Sequence, residues 1–284
     1  MIEKQEIMMR IFPFKDILSD FESYLNGYIT SKNYLSDELK NACIYSVQSG
    51  GKRLRPLILI LITKKLGKDI KEIYNLGISL ELIHEFSLIH DDMECMDNDD
   101  YRRGMLTVHK KYGEDIALLS GDALLNMSFE NAINELQINN DLNTIKAYKY
   151  LFECSGHMGM IGGQSLECET STQDLNTYFN IILNKTAKLI MAATTCPALY
   201  FNCEDGICKK LNDLGKYMGL LFQIIDDRSD GDGIYKINKT KADEFIIYYK
   251  NEIHNIIDEL RNAGYDTSEL NGLILYLFDE EYEN

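Results

Sequence analysis

The chain has 284 residues, 45% of them hydrophobic and 26% charged, and a formal net charge of −16. That balance belongs to a folded, water-soluble protein long enough to bury its own core, and it argues against a nucleic-acid partner, whose binding surface should be basic. An anionic small substrate stays open, because a locally basic pocket or carboxylate-held metal ions can hold phosphates inside an acidic protein. Seven scattered cysteines without a CxxC pair read as reduced thiols of a cytoplasmic protein, not as a disulfide frame or a zinc site.

The N-terminal stretch MIEKQEIMMRIFPFKDILSDFESYLN has no uninterrupted apolar run and no small-residue cleavage site, so no signal peptide is expected. The longest apolar run, Leu57 to Ile62, is too short for a membrane span. Pro13, Pro56 and Pro197 are the only prolines, which leaves room for long helices. Apolar residues recur at spacings of three and four, as in Ile73, Leu76, Leu80 and Ile83, and in Ile253, Ile256, Ile257 and Leu260. About ten helices are expected, near 14–27, 36–48, 56–66, 69–91, 114–136, 142–160, 174–199, 207–226, 240–261 and 267–279. Strand-like alternation is rare. Breaks such as Asn139-Asn140-Asp141 are loop-sized, so one all-α domain over 1–284, a helical bundle, is the simplest organisation.

Candidate functional residues begin at Ser49-Gly50-Gly51-Lys52-Arg53-Leu54-Arg55-Pro56, which joins two expected helices. The glycines allow close backbone approach, and Lys52 and Arg55 can grip a diphosphate; a plain C-cap with surface charge is the bland alternative. His84 lies six positions before His90, and one helical histidine is more often structural than catalytic. An apolar stretch then ends in Asp91-Asp92-Met93-Glu94-Cys95-Met96-Asp97, and a second one ends in Asp226-Asp227-Arg228-Ser229-Asp230. In a helix, Asp226 and Asp230 share a face. Asp91 and Asp97 need a bend or a helix end to converge. Like charges this close repel unless cations hold them, and aspartate is a poor choice near a helix C-terminus. Oxygen-only clusters suit hard cations, Mg2+ above all when a phosphate shares the metal. One such pair is readily a solvated helix end, but two, each after a buried-looking helix, favour metal binding. An EF-hand is excluded: with Gly231 at the sixth loop position, Arg228 and Ile237 fall where carboxylates are needed.

Tyr101-Arg102-Arg103-Gly104 follows the first cluster, and its two arginines could serve two phosphates or neutralise the acidic run. Gln164 after Gly162-Gly163 is a candidate at a helix kink, and Lys185-Thr186 adds a cation inside an apolar helix, where a snorkelling lysine is the alternative.

Taken together, GGKRLRP, LIHDDMECMDNDDYRRG, GDALL, GGQ, NKT and FQIIDD follow one another in an order that strongly resembles the trans-isoprenyl diphosphate synthases, most of all the bacterial-type farnesyl diphosphate synthases. The resemblance implies a bundle of long helices around a deep central cavity, in a homodimer. It implies that Asp91, Asp92, Asp97, Asp226 and Asp227 ligate Mg2+, three ions per site, with Asp230 assisting through water. It implies that Arg102, Lys185, Gln223 and Lys239 touch an allylic diphosphate, and that Gly51, Lys52, Arg55, His84 and Arg103 hold isopentenyl diphosphate. Thr186 and Gln164 would face the reacting carbons. Asp91, Asp92, Asp226, Lys185 and Arg102 would carry the catalysis: ionisation of the allylic C–O bond, attack of the isopentenyl double bond on C1, and loss of a proton to the released diphosphate. Phe86, five positions before Asp91, stands where the family sets product length, and an aromatic there shortens the product to the farnesyl stage.

The loop after Asp230 departs from the family by being sharply shortened. Asn238-Lys239-Thr240 corresponds to a second lysine step, the first has no counterpart, and Glu167 replaces the usual Asp after GGQ-x-L. Geranylgeranyl diphosphate synthesis is an alternative outcome. A non-catalytic partner subunit is another, motivated by the short loop. A class I terpene cyclase fits worse, because Asp226 to Asp230 lacks its metal motif and it has no use for a second diphosphate site. A helical scaffold without ligand leaves the convergent charges unexplained.

Overall fold

The computed structural model describes residues 14–170 and 174–278. Residues 1–13 of the stretch considered for a signal peptide, and the last residue of the helix expected to end at 279, lie outside them. The chain divides into two compact units, Met1–Leu57 with Tyr74–Ile138 and Ile58–Ile73 with Asn139–Asn284.

In the first unit, α1 (Lys15–Ser31) buries Phe21, Leu25 and Ile29, spaced by four along one stripe. Helix α2 (Asp37–Gln48) starts where the Ser36 hydroxyl accepts from the Leu39 N–H at 3.3 Å, with Asp37 and Glu38 at the positive end of the dipole. Helix α3 (Leu54–Lys65) takes Pro56 in its first turn, where a missing N–H costs nothing, and carries the chain into the second unit. The segment expected as one helix over 69–91 is a 3-10 turn at Ile70–Ile73 followed by α4 (Tyr74–Asp91), which is buried on almost every side. A two-residue hairpin follows, β1 (Tyr101–Arg102) with β2 (Met105–Leu106). Its turn residues Arg103 and Gly104 have φ of +54° and +79°, the mirror-image turn that suits strand twist. Short α5 (Val108–Tyr112) leads to α6 (Glu114–Ile138), which packs along α4. Gly121 of the GDALL segment lies directly under the His90 ring, which leaves no space for a side chain there.

In the second unit, Asp141 caps α7 (Leu142–Ser155) by accepting from Asn143 and Thr144 N–H groups at 2.7 and 3.1 Å. The expected helix 142–160 stops early at Gly156, and a separate α8 (Met160–Glu169) begins beyond it. The expected helix 174–199 is α9 (Leu175–Ile182), a π-helical turn at Leu183–Ala187 and α10 (Lys188–Tyr200). Helix α11 (Asp205–Asp230) runs four residues beyond the expected 226. Helix α12 (Gly233–Asn262) is interrupted at Asn238, where φ is −162° and ψ is 93°, and α13 (Ser268–Phe278) completes the described chain. Helices α7, α10, α11 and α12 pack in succession, α10 against α7 and α11, and α11 against α12. No helix among the described residues is long and apolar enough to cross a membrane.

Candidate active site

Arg53 holds the basic loop of the first unit in place. Its φ is +44° and its side chain is buried. The guanidinium meets Glu22 at 2.6 Å, Glu81 at 2.7 Å and Glu85 at 3.0 Å, and donates to the Val47 carbonyl. Burial pulls its pKa down, but Glu81, Glu85 and Glu22 together push it above the usual value. A buried charge persists only when paired in this way. Arg103 shares the same Glu85 oxygen, Oε1, at 2.9 Å, and donates to the Gly50 carbonyl and to Ser49 Oγ at 3.3 Å. Gly51 has φ +138°, and a Cβ there would stand 2.8 Å from Arg103 Cζ, so the loop requires glycine. Arg55 donates to His84 Nε2 at 3.0 Å. A guanidinium can only donate, so this nitrogen accepts and the ring is neutral with its proton on Nδ1. Burial first, then Arg55 and Arg103, hold the His84 pKa well below its ordinary value. Arg55 Nε is buried without a hydrogen-bond partner among the described residues. Lys52 is exposed.

The first aspartate cluster sits where α4 ends. The bend that convergence demands comes from the loop: the Asp97 N–H donates to the Asp91 carbonyl at 2.9 Å, and the Asp99 N–H to the Asp92 carbonyl at 3.1 Å. Asn98 makes the turn with φ +52°. Asp91 is half-buried and Asp97 exposed. Asp92 is 3% exposed and accepts from Arg102 Nε at 2.5 Å; burial pushes its pKa up to about 6 against the pull of Arg102. Arg102 also reaches Asp99 at 3.5 Å, so the adjacent arginines serve different carboxylates. Ser49, Glu85, Asp92 and Arg102 line one pocket, which joins the basic loop to the cluster. Phe86 is buried in α4 with its ring edge-on to His90 at 5.7 Å.

In the second unit Lys185 and Thr186 fall in the π-helical turn, an irregularity frequent at functional sites. Gly163 of α8 lies directly against the Lys185 backbone, which brings the half-buried Gln164 beside it in sequence. Lys185 Nζ pairs with Glu167, the residue that replaces the usual Asp. The Thr186 hydroxyl donates to Gln223 Oε1 at 2.9 Å, and Gln223 Nε2 donates to Asp227 Oδ1 at 2.9 Å. Asp227 is 4% exposed and also accepts from Tyr178 Oη at 2.6 Å and the Ile234 N–H at 3.0 Å, both on Oδ2. Asp226 and Asp230 are exposed, one helical turn apart on α11. Lys239 is exposed just after the Asn238 break, where Asn238 Oδ1 accepts from the Lys241 N–H at 3.1 Å.

Among the described residues no three His, Cys, Asp or Glu side chains stand close enough to hold a metal ion by themselves. Mg2+ takes one or two carboxylates and completes its shell with water and phosphate oxygens. The exposed carboxylates of Asp226 and Asp230 suit that chemistry, whereas the Asp227 oxygens are given to protein donors.

Sequence reasoning missed Arg53, Glu81, Glu85 and Tyr178. The signal for the first three was present: two glutamates four apart inside the apolar LELIHEF segment have to find a cation. Nothing in the sequence marks Tyr178.

The polyprenyl synthetase family model matches residues 36–244. Farnesyl diphosphate synthase of Micrococcus luteus is 41% identical over 222 residues, 77% of this chain and 74% of that protein. Farnesyl diphosphate synthase of Bacillus subtilis is 38% identical, over 75% of this chain and 72% of that protein. Geranyltransferase from Helicobacter pylori, solved in complex with magnesium and isoprenyl diphosphate, superposes with a TM-score of 0.80 at 31% identity, covering 93% of this chain and 96% of that one. The order of motifs, the all-helical fold and these likenesses agree: the chain is a prenyltransferase and belongs to the polyprenyl synthetase family.

Proposed function

We propose that this protein is a farnesyl diphosphate synthase, which condenses isopentenyl diphosphate with dimethylallyl and then geranyl diphosphate. One observation carries the two-substrate reading: Arg55 of the basic loop, with a buried unpartnered Nε, faces neutral His84, while a separate aspartate cluster stands at the end of the same helix as His84. That supplies one anion site independent of metal, as a second diphosphate substrate requires. The bacterial farnesyl diphosphate synthases among the relatives support the product.

Asp91, Asp92, Asp97 and Asp226, with Asp230, are the candidates for the metal-bearing carboxylates, three Mg2+ ions per site; the Asp227 oxygens, bound to protein donors, are set apart from them. Bound magnesium supplies positive charge against the leaving diphosphate oxygens. Arg102, Lys185, Gln223 and Lys239 orient the allylic diphosphate and stabilise its growing charge. Gly51, Lys52, Arg55, His84 and Arg103 hold isopentenyl diphosphate; with His84 neutral, the cationic work there falls to the arginines and lysine. Thr186 and Gln164 line the reacting carbons: the allylic C–O bond ionises, the isopentenyl double bond then attacks C1 of the allylic cation, and the departed diphosphate takes the proton that the adduct loses. Exclusion of water protects the carbocation from hydrolysis.

The family model spans residues of both units, which supports a single synthase domain. Leu118, Leu119, Phe129 and Ile133 expose 47%, 51%, 36% and 56% of their surface along α6, an apolar stripe that supports a homodimer. Seven free thiols support a cytoplasmic location.

Product mass from isopentenyl and dimethylallyl diphosphates tests the chain length. A fifteen-carbon product is expected, and Phe86→Ala should lengthen it by one or more isoprene units. A twenty-carbon product from the wild type would assign geranylgeranyl diphosphate synthesis instead.

A further inference from the structure

The last turn of α11 closes on Asp227. The Asp227 carbonyl accepts from the N–H groups of Gly231 and Asp232 at 2.8 and 3.1 Å. The next helix starts on it as well. Only Gly231 and Asp232 separate α11 from α12, and an amide in the first turn of the new helix, Ile234 N–H, donates to Asp227 Oδ2. An anion at a helix N-terminus is favoured by the orphan amides and the dipole. Gly233, with φ +47°, lies so close that any side chain would collide with the Asp227 carboxylate. Tyr178 from α9 and Gln223 one turn earlier supply two further donors, so the Asp227 carboxylate accepts three hydrogen bonds while buried.

Helix geometry separates Asp227 from its neighbours. Residues one apart are rotated by about 100° and residues four apart by about 40°. Asp226 and Asp230 therefore share an exposed face, while Asp227 points inward. The carboxylate also fixes the Gln223 amide: a carboxylate only accepts, so the amide nitrogen faces it and the amide oxygen takes the Thr186 proton.

We propose that Asp227 is a positioning residue and not a metal ligand: it ties the shortened turn after the second cluster to α11, and leaves Asp226 and Asp230 to present carboxylates to Mg2+. The inference rests on the metal reading of this cluster given above. It explains how a chain with so short a loop keeps the cluster ordered, and it puts Tyr178 in the same role one step removed.

The test uses the full chain, wild type, Asp226→Asn, Asp227→Asn and Tyr178→Phe, with two readouts. Mn2+ binding is followed by electron paramagnetic resonance in the presence of inorganic pyrophosphate. Amide hydrogen exchange of segment 231–237 is followed by mass spectrometry without metal. Asp226→Asn should weaken Mn2+ tenfold or more and leave exchange within twofold of wild type. Asp227→Asn should keep Mn2+ affinity within threefold and speed exchange of the segment at least tenfold, with Tyr178→Phe moving exchange the same way by less. Mn2+ affinity lost in Asp227→Asn as deeply as in Asp226→Asn, with exchange unchanged, would overturn the proposal. If Asp227→Asn does not fold, Tyr178→Phe decides on the same readouts. A wild type that binds no Mn2+ with pyrophosphate would contradict the metal reading of the cluster, and the metal-free exchange arm would still decide whether Asp227 holds the turn.

Discussion

The two aspartate clusters share a paired sequence and are built differently. In the first, the inner carboxylate, Asp92, is buried against a cation, Arg102, and the convergence of Asp91 with Asp97 is made by a loop that folds back on the helix end. In the second, the inner carboxylate, Asp227, is buried against neutral donors, and its outer partners Asp226 and Asp230 share an exposed face because the helix continues. The common lesson is geometric. Adjacent residues on a helix cannot point the same way, so a pair of aspartates divides into one that the fold uses and one that faces out. The contrast is energetic: the first unit is framed by charge on charge, the second by hydrogen bonds and a helix end.

Removing an outer carboxylate should have the largest effect. Asp226→Asn should lower kcat on the order of a hundredfold to a thousandfold, the scale of losing one electrostatic contact to the transition state, while thermal unfolding stays within a degree or two of wild type. A variant that unfolds instead would show that the outer residue is structural too. Next comes the charge frame of the first unit. Arg53→Ala strands Glu81 in a buried site and leaves Glu85 with Arg103 as its ion-pair partner, and should cost about 3–5 kcal/mol in urea unfolding; a loss under about 1 kcal/mol would mean the Arg53 pairs are dispensable. Gly233→Ala should cost about 1–3 kcal/mol, from the left-handed backbone and the collision with Asp227. Tyr178→Phe removes one of three donors to the buried Asp227 carboxylate and should cost about 1.5 kcal/mol in the same unfolding experiment, a smaller effect than losing the Arg53 frame.

Much of this architecture was legible in the sequence, for identifiable reasons. Apolar spacing gives α2 and α6 to within two residues at either end, and the start of α1 but not its last turn, since stripes and caps are local features. The four-residue interval places Asp226 and Asp230 on one face, and the six-residue interval of Asp91 and Asp97 demands the bend that the loop supplies. What stayed hidden depends on tertiary partners. Arg53 reads as one more surface cation until Glu22, Glu81 and Glu85 surround it. The π-helical turn at Leu183–Ala187 leaves the apolar pattern intact, so one long helix and a broken one look alike. The hairpin at Tyr101–Leu106 puts an arginine at a left-handed turn position where Asn or Gly is the usual sign. The inward turn of Asp227 follows from a two-residue loop and a tyrosine 49 positions away.

Metal-dependent condensation by this chain alone is the central claim. The direct measurement is release of inorganic pyrophosphate from isopentenyl and geranyl diphosphates by the purified, metal-stripped protein, before and after Mg2+ is restored. Release that is absent without the ion and returns with it, matched one for one by farnesyl diphosphate, is the predicted result. A folded, Mg2+-supplied chain that releases none would contradict it and favour a non-catalytic partner subunit.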